Sequence, residues 1–79
     1  MNLEKELLDV LQDYLDFPVA DLDRTTPLKY AAAMNSFTFI QLVAALEGRF
    51  ALRIPNEDLA QLHSADDLLA YLQRRTDGR

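Results

Sequence analysis

Leu3, Leu7, Leu8, Leu11, Tyr14 and Leu15 recur at three- and four-residue steps, so a helix over residues 3–15 carries one apolar stripe. Asn2 stands at its N-cap position, and Glu4 and Glu6 fall in the electropositive first turn. Pro18 then forbids continuation. From Asp16 to Asn35 no helical period holds. This segment carries Pro18, Pro27 and the acids Asp16, Asp21 and Asp23, yet Val19, Leu22 and Leu28 predict a loop pinned to a core. A connection of about twenty residues is long for a small domain, and such loops are often functional. The three alanines between Lys29 and Met34 favour an additional helical turn.

The period resumes over residues 36–51. Phe39, Val43, Leu46 and Phe50 share one face, with Leu42 and Ile40 at its edges, while Phe37, Gln41, Ala44 and Gly48 lie opposite. Arg53-Ile54-Pro55 interrupts it. Asn56 is expected to cap a short helix over residues 56–62, with Glu57 and Asp58 in its first turn. Ser64 and Asp67 have capping-box spacing for a last helix over residues 65–75. Ala65, Leu68, Leu69 and Leu72 should face inward, and Arg74 and Arg75 suit its C-terminal dipole. Gly78 and Arg79 are expected to fray. The fold class is all-α: one domain over residues 1–79, a four-helix bundle with a long first connection and a short third helix.

Composition narrows the chemistry. Seventy-nine residues leave no room for a second core, and 49% apolar content suffices for one. The absence of cysteine excludes disulfides, thiolate metal sites and cysteine nucleophiles, and a single histidine excludes a histidine metal cluster. No paired carboxylates beside a base, no nucleophile–base motif and no basic recognition helix are present, so neither an enzyme nor a DNA-binding module is expected. Asp21 and Asp23 lack the glycine and distal glutamate of a calcium loop. A net charge of −5 disfavours nucleic acid and anionic membranes. With no apolar run near 18 residues and no signal-peptide pattern, a cytoplasmic monomer is expected. Met1 and the short tail favour a free-standing protein.

Candidate chemistry centres on Met34-Asn35-Ser36-Phe37, immediately before the second long helix. Taken alone, Asn35 or Ser36 reads as an N-cap. Asn35-Ser36-Phe37, Gln41-Leu42-Val43, Ala45-Leu46-Glu47, Phe50 and Ile54-Pro55-Asn56-Glu57-Asp58 follow one another at a characteristic spacing. Leu62, Asp67 and Ala70-Tyr71-Leu72 continue it, and Thr26-Pro27-Leu28 precedes it. This pattern resembles the acyl carrier protein (phosphopantetheine-binding carrier) family: Asp-Ser-Leu, Glu-Leu-Val, Ala-Leu-Glu, Phe and Ile-Pro-Asp-Glu-Asp. Thr-Pro-Leu is similar to the peptidyl and D-alanyl carriers. Asn35 replaces the family's aspartate, and Ala31-Ala32-Ala33-Met34 stands where a glycine is usual.

The resemblance implies that Ser36 receives a 4′-phosphopantetheine arm from coenzyme A through a separate phosphopantetheinyl transferase. The arm's thiol would hold acyl or aminoacyl groups as thioesters for loading and condensing enzymes. It also implies partner docking through Asn35, Phe37, Gln41, Ala44 and Gly48, a largely uncharged face. An acyl pocket would be bordered by Phe39, Val43, Leu46, Ile54, Leu59 and Leu62. Phe39 and Leu59 are bulky for such a pocket, so the core is expected to be filled and the cargo short, polar or aminoacyl. Specialised polyketide, nonribosomal-peptide or fatty-acid-type biosynthesis is the expected setting. The rival reading is a helical interaction module without a prosthetic group, in which Ser36 is a cap.

Overall fold

The computed structural model describes residues 2–77 and is helical, with no strand among them. Helix α1 is Leu3–Gln12. Its Asn2 cap forms as expected: Asn2 Oδ1 accepts from the Lys5 amide at 3.1 Å. Leu7, Val10 and Leu11 are buried. The helix ends sooner than its apolar stripe, because the chain tightens into three-residue turns. The Tyr14 amide donates to Leu11 O and the Leu15 amide to Gln12 O. Gln12 then clamps the departing chain: its Nε2 donates to Phe17 O at 2.9 Å and its Oε1 accepts from the Val19 amide at 2.8 Å.

The long connection is pinned as its apolar residues predict. A 3₁₀ turn spans Val19–Asp21, Leu22 and Leu28 are buried, and a short α2 runs from Leu28 to Ala31. Asp23 organises the approach, accepting from the Thr25 amide and from the hydroxyls of Thr25 and Thr26. Those bonds, the Thr26 hydroxyl foremost, lower its carboxyl from 3.8 to about 2. Two backbone bonds stitch the connection to the far end of the chain. The Leu28 amide donates to His63 O at 2.7 Å and the Asp66 amide to Arg24 O at 3.0 Å. Ala33 turns the chain with φ of 52°, a left-handed conformation uncommon outside glycine.

Helix α3 is Ser36–Phe50, with Leu42, Val43, Leu46 and Phe50 buried. Leu42 belongs to the core itself and not to its edge, whereas Ile40 is 60% exposed. The cause is tertiary: α1 packs against both α3 and α5, which turns the Leu42–Leu46 line inward. Ala51, at φ 53°, ends the helix in a left-handed cap, its N–H donating to Glu47 O. Glu47 Oε2 then accepts from the Ile54 amide at 2.8 Å.

Helix α4 covers only Asn56–Leu59. Asn56 is not its cap, because the helix begins there and Pro55 precedes it without a side-chain bond. Three-residue turns carry the chain on, the Gln61 amide donating to Asp58 O and the Leu62 amide to Leu59 O. Helix α5, Ala65–Asp77, extends beyond the expected Arg75. Its capping box closes in both directions. The Asp67 amide donates to Ser64 Oγ at 3.1 Å, while Asp67 Oδ2 accepts from the His63 and Ser64 amides at 3.0 and 3.2 Å. Ala65, Leu68 and Leu72 are buried, and Leu69 packs against the same core. Arg74 and Arg75 lie over the Tyr71 ring, whose hydroxyl Arg75 also contacts and which donates to Asp58 Oδ2 at 2.6 Å. Gly78 and Arg79 lie outside the described residues.

Candidate functional site

Asn35 caps α3, its Oδ1 accepting from the Thr38 amide at 2.8 Å, in an extended conformation with φ −89° and ψ 174°. Ser36 is therefore the first helical residue and is not needed as the cap. It is exposed, at the corner where the connection becomes a fifteen-residue helix. The first N–H groups of such a helix lack intrahelical acceptors and carry partial positive charge, which suits an anionic ester.

Ser36 borders a cleft of about 510 Å³. Pro27, Leu28 and Lys29 line it, as do Met34 and Asn35, which precede the serine. Phe39 and Ile40 of α3 complete the lining together with Leu59, Leu62 and His63. A backbone bond joins two of these lining residues, Leu28 and His63.

Of the six residues expected at an acyl pocket, Phe39, Leu59 and Leu62 line this cleft. Val43, Leu46 and Ile54 do not, being buried in the central core. Lys29, Met34, Ile40 and His63 join the cleft without having been expected there. Only Ile40 carried a signal, as a residue at the edge of the apolar face of its helix. The five docking candidates Asn35, Phe37, Gln41, Ala44 and Gly48 are all exposed. Phe37 stands 69% exposed, and nothing lies within 4 Å of a Cβ built on Gly48. The α3 backbone at this face is braced by Tyr14, whose hydroxyl donates to Gln41 O at 3.3 Å.

Backbone donation from His63 lowers the Asp67 carboxyl, and burial raises the Tyr71 hydroxyl. Neither residue borders the cleft. Among the described residues no three His, Cys, Asp or Glu side chains gather as a metal site, and no helix is long and apolar enough to cross a membrane.

A helical bundle with a cleft opening at a serine on a loop–helix corner has the architecture of a small carrier domain. The family model describing the phosphopantetheine attachment site matches residues 5–72. The acyl carrier protein of Chlamydia muridarum is 27% identical over 75 residues, covering 95% of this chain and 97% of that protein. That of Streptomyces coelicolor is 30% identical over 74 residues, covering 87% and 80%. A solution structure of a candidate acyl carrier protein from Anaplasma phagocytophilum superposes with a TM-score of 0.83 at 26% identity, covering 95% of this chain and 89% of that one. The Enterococcus faecalis acyl carrier protein, 15% identical, shares the fold with a TM-score of 0.78 over 94% of each chain.

The chain belongs to the phosphopantetheine-binding acyl carrier protein family. Such proteins are carriers on which partner enzymes act, and are not catalysts. The prosthetic group of this domain is covalently attached phosphopantetheine, which a phosphopantetheinyl transferase installs.

Proposed function

We propose that Ser36 is the attachment point and that the chain, as one carrier domain, is a discrete acyl or aminoacyl carrier. The observation carrying this is the exposed Ser36 at the first position of α3, with the capping bond already supplied by Asn35. The hydroxyl is thus uncommitted to helix closure, accessible to a second protein, and placed where amide dipoles favour a phosphodiester. In the transfer, Ser36 Oγ forms a bond to the β-phosphorus of coenzyme A. The pyrophosphate P–O bond breaks, and adenosine 3′,5′-bisphosphate leaves. The proton from Ser36 passes to a base of the transferase, because among the described residues no basic side chain is hydrogen-bonded to that hydroxyl. When attached, the group supplies a thiol that holds cargo as a thioester, chemistry that a cysteine-free chain lacks.

Asn35, Phe37, Gln41, Ala44 and Gly48 form the docking face in this reading, supported by their shared exposure. The cargo is short, polar or aminoacyl, because Val43, Leu46 and Ile54 pack into the core and leave the depth of the bundle filled. Such a carrier serves loading and condensing enzymes of polyketide, nonribosomal-peptide or fatty-acid-type biosynthesis. It would work as a cytoplasmic monomer.

Intact-mass measurement after incubation with coenzyme A, magnesium and a broad-specificity phosphopantetheinyl transferase tests the assignment. Wild type should gain one phosphopantetheine and Ser36→Ala none. Gain by Ser36→Ala, or none by wild type, would refute it. Amide shift changes at Val43, Leu46 and Ile54 on loading a medium-chain acyl group would refute the cargo reading.

A further inference from the structure

We infer that enzymes acting at Ser36 meet this chain on an apolar surface with a basic edge, made by Tyr30, Phe37, Ile40 and Lys29, and that the matching partner offers an apolar pocket edged by carboxylates. The inference rests on Ser36 being the attachment point and adds the chemistry of the partner.

The first observation is apolar. Among the described residues the large exposed apolar side chains are Tyr30, Phe37 and Ile40, at 71, 69 and 60% exposure. All three fall within eleven positions of sequence around Ser36. Phe37 and Ile40 are three apart on α3 and hence neighbours on its surface. Ile40 and Lys29 line the same cleft as Ser36. Single exposed apolar residues are ordinary; Phe37 and Ile40 side by side next to Ser36, with Tyr30 joined to the cleft residue Lys29, mark an interaction surface. Exposed aromatics of this kind are also the side chains that anchor interfaces.

The second observation is electrostatic. The chain has thirteen acids against eight bases, yet no carboxylate occurs between Asp23 and Glu47. Arg24 in that interval is paired with Glu4 at 2.6 Å. Lys29 is therefore the one charged side chain from residue 25 to residue 46, and no acid borders the cleft. Its Nζ rests 5.0 Å from the Tyr30 ring centroid, which joins the cation to the apolar surface. A partner that brought lysines or arginines to the cleft would find no carboxylate lining it and would set them beside another cation, Lys29. A partner with carboxylates at the pocket rim pairs Lys29 and leaves the apolar side chains to fill the pocket.

The test uses the full chain as acceptor and a broad-specificity phosphopantetheinyl transferase as the probe, reading KM by intact mass. Lys29→Glu should raise KM about three- to tenfold at low salt, the difference shrinking below about twofold at 0.5 M sodium chloride. Lys5→Glu, the same charge change on α1, should leave KM within about twofold. Phe37→Ser and Ile40→Ser should each raise KM about fivefold or more, with kcat nearly unchanged and thermal midpoints within a few degrees. A lower KM for Lys29→Glu, or a KM unmoved by both serine variants, overturns the inference while the mass gain still supports Ser36. Absence of any mass gain in wild type removes both readings.

Discussion

Asn35 offers the sharpest measurement, because its side chain sets the geometry that presents Ser36. Its Oδ1 satisfies the Thr38 amide at 2.8 Å, an exposed bond at the first turn of α3. Asn35→Ala removes that acceptor and should cost about 1 kcal/mol, within the usual range of roughly 0.5–2 for lost caps. Asn35→Gly should cost only a few tenths, because the freed amide is then readily hydrated. Asn35→Asp keeps the acceptor and adds a negative charge. Helices α1, α4 and α5 all have acids in their first turns and α3 has none, so that charge meets an uncompensated dipole. The expected gain is about 0.3–1 kcal/mol at low salt, reduced by the chain's net charge of −5 and by added salt. Urea unfolding should show shifted midpoints with unchanged slopes, and each kcal/mol should move the thermal midpoint by about 4–8 °C in a domain of this size. An alanine variant within about 0.3 kcal/mol of wild type, or one no worse than glycine, would refute the capping account. Destabilisation by aspartate would refute the dipole argument.

Other substitutions probe what holds the corner in place. Ser64→Ala removes the acceptor of the Asp67 amide and should cost about 1 kcal/mol by denaturant titration. Asp67 titrates below the usual carboxylate range, so its contribution is complete above that range and is lost as pH falls through its folded value; Asp67→Asn should lose stability near neutrality, with the difference narrowing in acid. Asp23, with its carboxyl at about 2, should likewise keep the Thr25–Thr26 turn closed until pH falls from 3.8 toward that value, which the Thr25 amide shift can follow. Ala33→Gly relieves a left-handed alanine at φ 52° and should raise stability by up to about 1 kcal/mol, the relief exceeding glycine's extra unfolded entropy; lower stability would contradict this. Leu28→Ala empties a site only 1% exposed and should cost about 2–5 kcal/mol, enough to broaden or abolish the cooperative melt of a small domain.

What the sequence determined by itself is local. The cap at Asn2, a cap at Asn35 or Ser36 that the structure assigns to Asn35, the Ser64–Asp67 box and the break at Pro55 each depend on partners within about one turn, which the order of residues already supplies. The apolar stripes and the pinning of Leu22 and Leu28 were legible for a related reason, since burial tracks periodicity. Tertiary structure decided the rest. Where α1 ends depends on Gln12 reaching Phe17 and Val19, and the inward turn of Leu42 over Ile40 depends on α1 lying against α3. The cleft at Ser36 is lined from segments that the Leu28–His63 bond joins across thirty-five positions, which brings Lys29 and His63 to one site. No local pattern encodes such a contact, because its free energy comes from burying a loop against a distant corner and exists only once the core has formed.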